Sequence, residues 1–154
     1  MRLALYQPDI PQNAGTLMRL CACMNLPMDV IEPCGFILSD KNLKRAGMDY
    51  LDSLDLTRHN DWDAFRAQVT PARIVLLTTK SDSPFHDFSF RTDDVLLLGR
   101  ESAGVPDDVH HACDARITIP MAAGLRSLNV AIAGAMALTE ALRQTGQFPT
   151  PPAA

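Results

Sequence analysis

The chain has 154 residues, of which 47% are hydrophobic and 21% charged, with a formal net charge of −4. That is the composition of a single globular domain with a sizeable core, and its acidic balance excludes a surface coated in basic charge, though not a local basic patch. No apolar stretch is long enough to span a membrane, no signal peptide is evident, and Cys21, Cys23, Cys34 and Cys113 show no C-x-x-C spacing, so the expectation is a cytoplasmic protein with reduced thiols.

In chain order, residues 3–7 predict a strand, and a polar turn over 8–15 leads into a helix over 11–25. In that helix Leu17, Leu20, Cys21 and Met24 share one face at i, i+3, i+4, i+7 spacing, with Gly15, Arg19 and Ala22 opposite. Arg19 fits either a solvated helix charge or a cation held where close approach is needed. A second strand, 28–32, is closed by Pro33 and Gly35. Residues 40–47 predict a short helix capped by Gly47, and 52–57 a third strand. Lys41, Lys44, Arg45 and Arg58 here form the densest positive cluster of an acidic chain. It reads as a solvated face or as a phosphate contact. Asn60-Asp61 predicts the N-cap of a helix to Val69 with Trp62 and Phe65 facing inward, and 74–78 a further strand opening into a polar loop over 79–84.

The stretch 93–143 organises the rest. An apolar strand, 94–98, stops at the glycine-flanked turn 99–104, and a β-branched strand follows over 115–120, ended by Pro120. Two glycine-bearing loops leaving neighbouring strand ends would build a pocket from backbone groups, where open α/β sheets bind ligands. The last helix, 127–144 and on to about Gly146, is apolar nearly all round. It must be buried on several sides, by the sheet and by a second subunit, which predicts a homodimer. Gly134 and its flanking alanines permit close backbone approach there. Strands alternate with helices throughout, giving an α/β domain with a mainly parallel sheet flanked by helices. Residues 1–146 form a single domain, and the proline-rich 147–154 a flexible tail.

Several chemistries fail on spacing. Gly99 to Gly104 reads G-R-E-S-A-G, which puts Ser102 one residue too late for a G-x-S-x-G nucleophile elbow. The first strand is followed by Gly15 alone, not by G-x-G-x-x-G. His59, His86 and the pair His110-His111 lack clustered partners, so no metal is expected. What remains is a pocket of backbone groups and apolar side chains, a chemistry suited to adenosine. Glu101 fits a solvated turn residue or a cap, and Ser127 and Asn129 fit N-capping of the last helix.

Three motifs, in order and correctly spaced, carry a resemblance. They are Ile10-Pro11-Gln12-Asn13-Ala14-Gly15 with Arg19 and Cys21 downstream, Leu98-Gly99-Arg100-Glu101-Ser102-Ala103-Gly104-Val105-Pro106, and Ile117-Thr118-Ile119-Pro120-Met121 leading into Arg126-Ser127-Leu128-Asn129. The chain resembles the SPOUT RNA methyltransferases from Leu3 to about Gly146. Residues 43–50 (L-K-R-A-G-M-D-Y) and Thr57-Arg58-His59 resemble the small single-domain branch that 2′-O-methylates the tRNA wobble nucleotide, cytidine or modified uridine.

The resemblance implies a deep C-terminal trefoil knot, which general rules of chain connection would not suggest. It implies S-adenosyl-L-methionine as cofactor, with contacts at Leu77, Thr78, Gly99, Glu101, Gly104, Ile119, Met121, Ser127 and Leu128. It makes Arg19 the match of the family's catalytic arginine, with Asn13, Arg126, Ser127 and Asn129 as helpers around the ribose. It implies a homodimer of first and last helices and a tRNA anticodon stem-loop as partner, with Lys41, Lys44, Arg45 and Arg58 on its phosphates. Methylation of another RNA such as rRNA, or a non-catalytic RNA- or nucleotide-binding module, are the alternatives. The chain departs from the family at Ala103, where relatives often carry a basic or bulky residue and where Arg100 supplies the nearby charge.

Overall fold

The structure, a computed structural model, describes residues 1–39, 41–42 and 50–151. Its strands are β1 (Arg2–Tyr6), β2 (Met28–Ile31), β3 (Leu56–His59), β4 (Ile74–Leu77), β5 (Val95–Leu98) and β6 (Ala115–Ile117). All pair in parallel, in the order β3-β2-β1-β5-β4-β6. Helices α1 (Pro11–Cys23), α2 (Trp62–Val69), α3 (Asp107–Ala112) and α4 (Val130–Thr145) cover it. The α/β expectation therefore holds.

The central strands are short apolar runs because both of their faces are covered. Leu3, Leu5, Met28, Val30, Val75, Leu96, Leu98 and Ile117 point to the side of α1 and α4, where Leu17, Met18, Cys21, Ala137, Leu138 and Leu142 meet them. The alternate residues Ala4, Tyr6, Ile31, Ile74, Leu76, Val95 and Leu97 point to the side of α2 and α3, against Phe65, Val69 and Val109. Phe65 is fully buried, and Trp62 packs beside it from the margin of that core. Asp61 caps α2, its carboxylate accepting the Ala64 N–H at 2.8 Å.

Four expectations need correction. The segment read as a strand over 52–57 is a 3-10 turn, Leu51–Ser53, followed by β3, displaced toward the C-terminus. Leu51 and Leu54 sit one turn apart, a helical spacing. Gly15 is not on the exposed face with Arg19 but buried, because the inward stripe of α1 is Ala14, Leu17, Met18 and Cys21. The strands before the two glycine-bearing loops are not neighbours, since β4 lies between β5 and β6. Finally, Gly134 makes its close approach inside the chain: a Cβ there would stand 2.6 Å from Leu98 Cδ1 and 3.2 Å from Leu17 Cδ2. The helix expected over 40–47 lies largely outside the described residues, as do Lys44 and Arg45.

At the N-terminal ends of the strands, carboxylates tie the sheet together, two of them buried. Asp29 is fully buried on β2 and accepts from Arg2 Nε at 2.7 Å and Arg2 Nη2 at 2.9 Å, with His59 Nε2 2.7 Å away. Asp94, before β5, takes Arg73 at 2.8 and 2.7 Å and the Arg91 N–H at 2.8 Å. Asp114, before β6, accepts the Ile74 N–H at 2.8 Å. With that edge closed, the C-terminal edge is free to carry a site. Removing one partner of a buried ion pair leaves an uncompensated charge and costs on the order of 3 kcal/mol. Asp29→Ala should therefore lower the urea midpoint by that equivalent at unchanged slope, a change read by equilibrium denaturation.

Candidate active site

A cavity of about 540 Å³ opens at the C-terminal ends of β4, β5 and β6, within the size range of small-molecule sites. Three loops wall it: the exit of β4 through Lys80, the turn after β5 through Val105, and the run after β6 through Asn129. Ile10 and Asn13 at the start of α1, with Val130 and Ala133 of α4, close the remaining side. Leu77, Thr78, Gly99, Glu101, Gly104, Ile119, Met121, Ser127 and Leu128, the cofactor positions implied by the resemblance, all line it, and so do Asn13, Arg126 and Asn129.

The turn after β5 owes its shape to its two glycines. Arg100 N–H donates to Gly104 O at 3.0 Å and Gly104 N–H returns a bond to Arg100 O at 2.8 Å. A Cβ on Gly99 would lie 2.7 Å from the Gly104 carbonyl carbon, closer than any side chain tolerates. Gly104 itself has φ +67°, the left-handed region that favours glycine.

A relay of polar groups joins the three motifs. Asn129 Oδ1 caps α4, accepting the N–H groups of Ala131 at 2.8 Å and Ile132 at 3.3 Å. Its Nδ2 must then be the donor to Asn13 Oδ1, at 3.0 Å, which turns Asn13 Nδ2 toward Glu101 Oε1 at 3.3 Å. Glu101 Oε2 accepts the Asp9 N–H at 2.8 Å, and the Asp9 carboxylate takes both the hydroxyl and the N–H of Ser102. Those two bonds from Ser102 hold the Asp9 carboxyl below the usual carboxylate range. Glu101 is thus neither a solvated turn residue nor a helix cap but the clasp between the turn after β5 and the start of α1. Asn129, rather than Ser127, caps the last helix.

Arg19 stands elsewhere. It is exposed on α1, does not line the cavity of its own chain, and lies 4.8 Å over the Tyr50 ring with Nη2 3.4 Å from the Tyr50 hydroxyl. Lys41 is exposed and also away from the cavity. The Arg58 guanidinium is held by Glu32 Oε1 at 2.5 Å and Leu38 O at 2.9 Å. Sequence reasoning missed Thr79, Lys80 and His110 as wall residues. Thr79 and Lys80 directly follow the foreseen Thr78, but nothing local marked His110, whose place depends on how α3 folds back.

The fit to a nucleoside-type ligand can be judged from the walls. Leu76, Leu98, Ile119 and Leu128 offer apolar faces. Two buried side-chain nitrogens lack any hydrogen-bond partner among the described residues, Arg100 Nε and His110 Nε2, and both residues line the cavity. A buried donor left unmet costs about 1–3 kcal/mol, so an acceptor brought by a ligand would relieve it. Burial pushes Cys21 up to about 12 and Cys34 and Cys113 up to about 11, keeping these three thiols protonated.

Known proteins resemble this chain in sequence and in fold. A protein of Beijerinckia indica subsp. indica named tRNA (cytidine(34)-2'-O)-methyltransferase is 60% identical over 146 residues, 94% of this chain and 91% of that protein. A solved structure described as "Structural insights into the 2-OH methylation of C/U34 on tRNA" is 41% identical with TM-score 0.87, covering 93% of this chain and 94% of that one. The SpoU methyltransferase AviRb of Streptomyces viridochromogenes, solved in complex with the cofactor AdoMet, is 29% identical with TM-score 0.79, over 94% of this chain and 60% of that one. The model of the SpoU rRNA Methylase family matches residues 1–139, across all three motif loops and most of α4. On that extent of agreement, this chain belongs to the SpoU rRNA methylase family.

Proposed function

We propose that this protein is a tRNA (cytidine/uridine-34-2'-O)-methyltransferase that uses S-adenosyl-L-methionine. The observation that carries the reading is the convergence of all nine expected cofactor positions on one cavity, beside the Asn129–Asn13–Glu101 relay. The names of relatives that match nearly end to end support the wobble ribose as the methylated group.

When bound, S-adenosyl-L-methionine supplies a methyl group on a sulfonium, activated for attack by a ribose 2′-hydroxyl. The protein's task is to orient that hydroxyl and favour loss of its proton. Gly99, Gly104 and the backbone after β6 shape the cofactor's seat, with Leu77, Thr78, Ile119, Met121, Ser127 and Leu128 around it. Asn13 and Asn129, with both ends of each amide engaged, act as positioning residues, while Arg126 and Ser127 face the ribose. Arg19 orients the adjacent phosphate and stabilises the developing alkoxide. With a pKa above about 12 an arginine is a poor base, but it is a good fork for phosphate oxygens.

Arg19 lies outside its own chain's cavity, so it serves the cavity of a partner in a homodimer. Ile132, 57% exposed, and Met136, 40% exposed, leave on α4 an apolar strip that the described residues do not cover, and Leu125 and Leu128 before the helix are exposed too. The residues read around α4 also favour a knot over residues 78–146. Thr118 is bracketed by Ser83 O, 2.9 Å from its N–H, and by the Phe85 N–H, 2.8 Å from its carbonyl, and Gln144 of α4 bonds Phe88 O at 2.9 Å and the Phe90 N–H at 3.0 Å. The 78–94 connection thus grips both the approach to α4 and its far end. Residues 1–146 make one domain with 147–154 as its tail. Lys41, Lys44, Arg45 and Arg58 supply phosphate contacts for the tRNA anticodon stem-loop, Arg58 by exchanging Glu32 for phosphate. Among the described residues no helix is long and apolar enough to cross a membrane, in keeping with a cytoplasmic site of action.

The reading is tested by mass spectrometry of tRNA nucleosides after incubation with the protein and S-adenosyl-L-methionine. A 2′-O-methyl group at position 34 is expected, and methylation confined to another RNA would overturn it. Arg19→Lys keeps charge but loses the planar fork, and should lower kcat roughly 10- to 100-fold while leaving cofactor affinity unchanged by calorimetry. Ile132→Glu should turn a dimer into a monomer in light scattering at micromolar concentration and abolish methyl transfer while cofactor binding survives.

A further inference from the structure

We infer that His110 is a specificity-determining contact for the adenosine half of the methyl donor, through its Nε2 atom. The inference rests on the reading of the cavity as the S-adenosyl-L-methionine site and adds to it a residue outside the three motifs that identify the family.

Position comes first. Arg116 of β6 donates from Nε to the His110 carbonyl at 2.9 Å, which ties this part of α3 to the β6 edge of the sheet. Asn13 and Glu101 follow β1 and β5, and β6 is three ladder steps from β1. At about 4.8 Å per step, the two ends of the cavity are about 14 Å apart, enough for a nucleoside and its substituent to lie between them.

Polarity then sets the direction. Among the described residues, Glu101 is the sole carboxylate lining the cavity, and it lies at the β1 end beside Asn13. A ligand with a sulfonium and an ammonium group places those cations toward Glu101, where the accepting ribose must also come. The uncharged adenosine is left for the β4–β6 end, among Leu77, Ile119 and Met121. His110 Nε2 is buried there and has no hydrogen-bond partner among the described residues. Burial, with Arg116, His111 and Lys80 nearby and Asp107 opposing them more weakly, pushes the imidazole below its ordinary pKa. It therefore stays neutral at pH 7 and offers one donor and one acceptor, matched to a hydroxyl or a base edge rather than to a fixed charge.

The test is calorimetry of the full chain with S-adenosylhomocysteine and with 5′-deoxy-5′-methylthioadenosine, which keeps the adenosine and lacks the amino-acid tail. His110→Phe keeps a ring and removes the nitrogen. It should weaken both ligands by the same factor, roughly 3- to 10-fold, the loss of one neutral hydrogen bond. Because Nε2 has no hydrogen-bond partner among the described residues, the melting temperature of the ligand-free protein should not fall. His110→Gln, which restores a terminal nitrogen, should recover most of the affinity for both ligands, and it serves as the folded comparison if the phenylalanine variant is unstable. Unchanged affinities in His110→Phe, a loss confined to S-adenosylhomocysteine, or no recovery in a folded His110→Gln would each overturn the assignment. Absence of binding by the unmodified protein would instead bring down the cofactor reading itself, and the inference with it.

Discussion

The interaction on which the site depends is the bond between two asparagine amides, Asn129 Nδ2 to Asn13 Oδ1 at 3.0 Å. Each amide is oriented by an obligation at its other end, Asn129 by the cap of α4 and Asn13 by Glu101. Because every group in the relay is engaged, none can rotate without leaving a polar atom unpaired in a partly buried place. The relay therefore sets the distance between the starts of α1 and α4 and the turn after β5. Those distances are the walls of the cavity.

The two edges of the sheet divide the labour. At the N-terminal edge, Asp29, Asp94 and Asp114 accept bonds from arginines, a histidine and backbone amides. At the C-terminal edge, backbone turns line a cavity together with Arg100 and His110, whose Nε and Nε2 have no hydrogen-bond partner among the described residues. This is the pattern of an α/β sheet in which stability is built at one end of the strands and chemistry at the other. Gly99 and Gly104 link the two concerns, since the same close approach that shapes the turn also leaves its backbone bare toward the cavity.

In the proposed homodimer, a single chain so arranged is half of the working unit. Its cationic candidate for catalysis rests on Tyr50 outside the cavity, and its last helix shows Ile132 and Met136 to solvent. The proposed homodimer would account for both features, a second copy covering the apolar strip and receiving Arg19. Composition predicts that α4 is buried on several sides, and within the chain Ala131, Gly134, Ala137, Leu138, Ala141 and Leu142 are buried. What composition could not apportion was which face meets the sheet, and Gly134, expected to permit close approach in an oligomer, packs on Leu98 and Leu17 of its own chain.

Apolar runs of strand length, the i, i+3, i+4 spacing of α1 and the glycine-flanked turn are local patterns, and from them the sequence by itself determined the α/β class, most of the elements and the family. Its motifs also named the wall of the cavity, because a turn that only glycine can make announces itself in one dimension. Tertiary structure alone decided which strands are neighbours, how Asn13, Glu101 and Asn129 meet across 88 and 116 positions of sequence, and that His110 looks into the cavity. The physical reason is that pairing order and amide orientation are settled by packing and by the demand that each buried polar group find a partner. Neither leaves a period or a spacing for a reader of the chain to count.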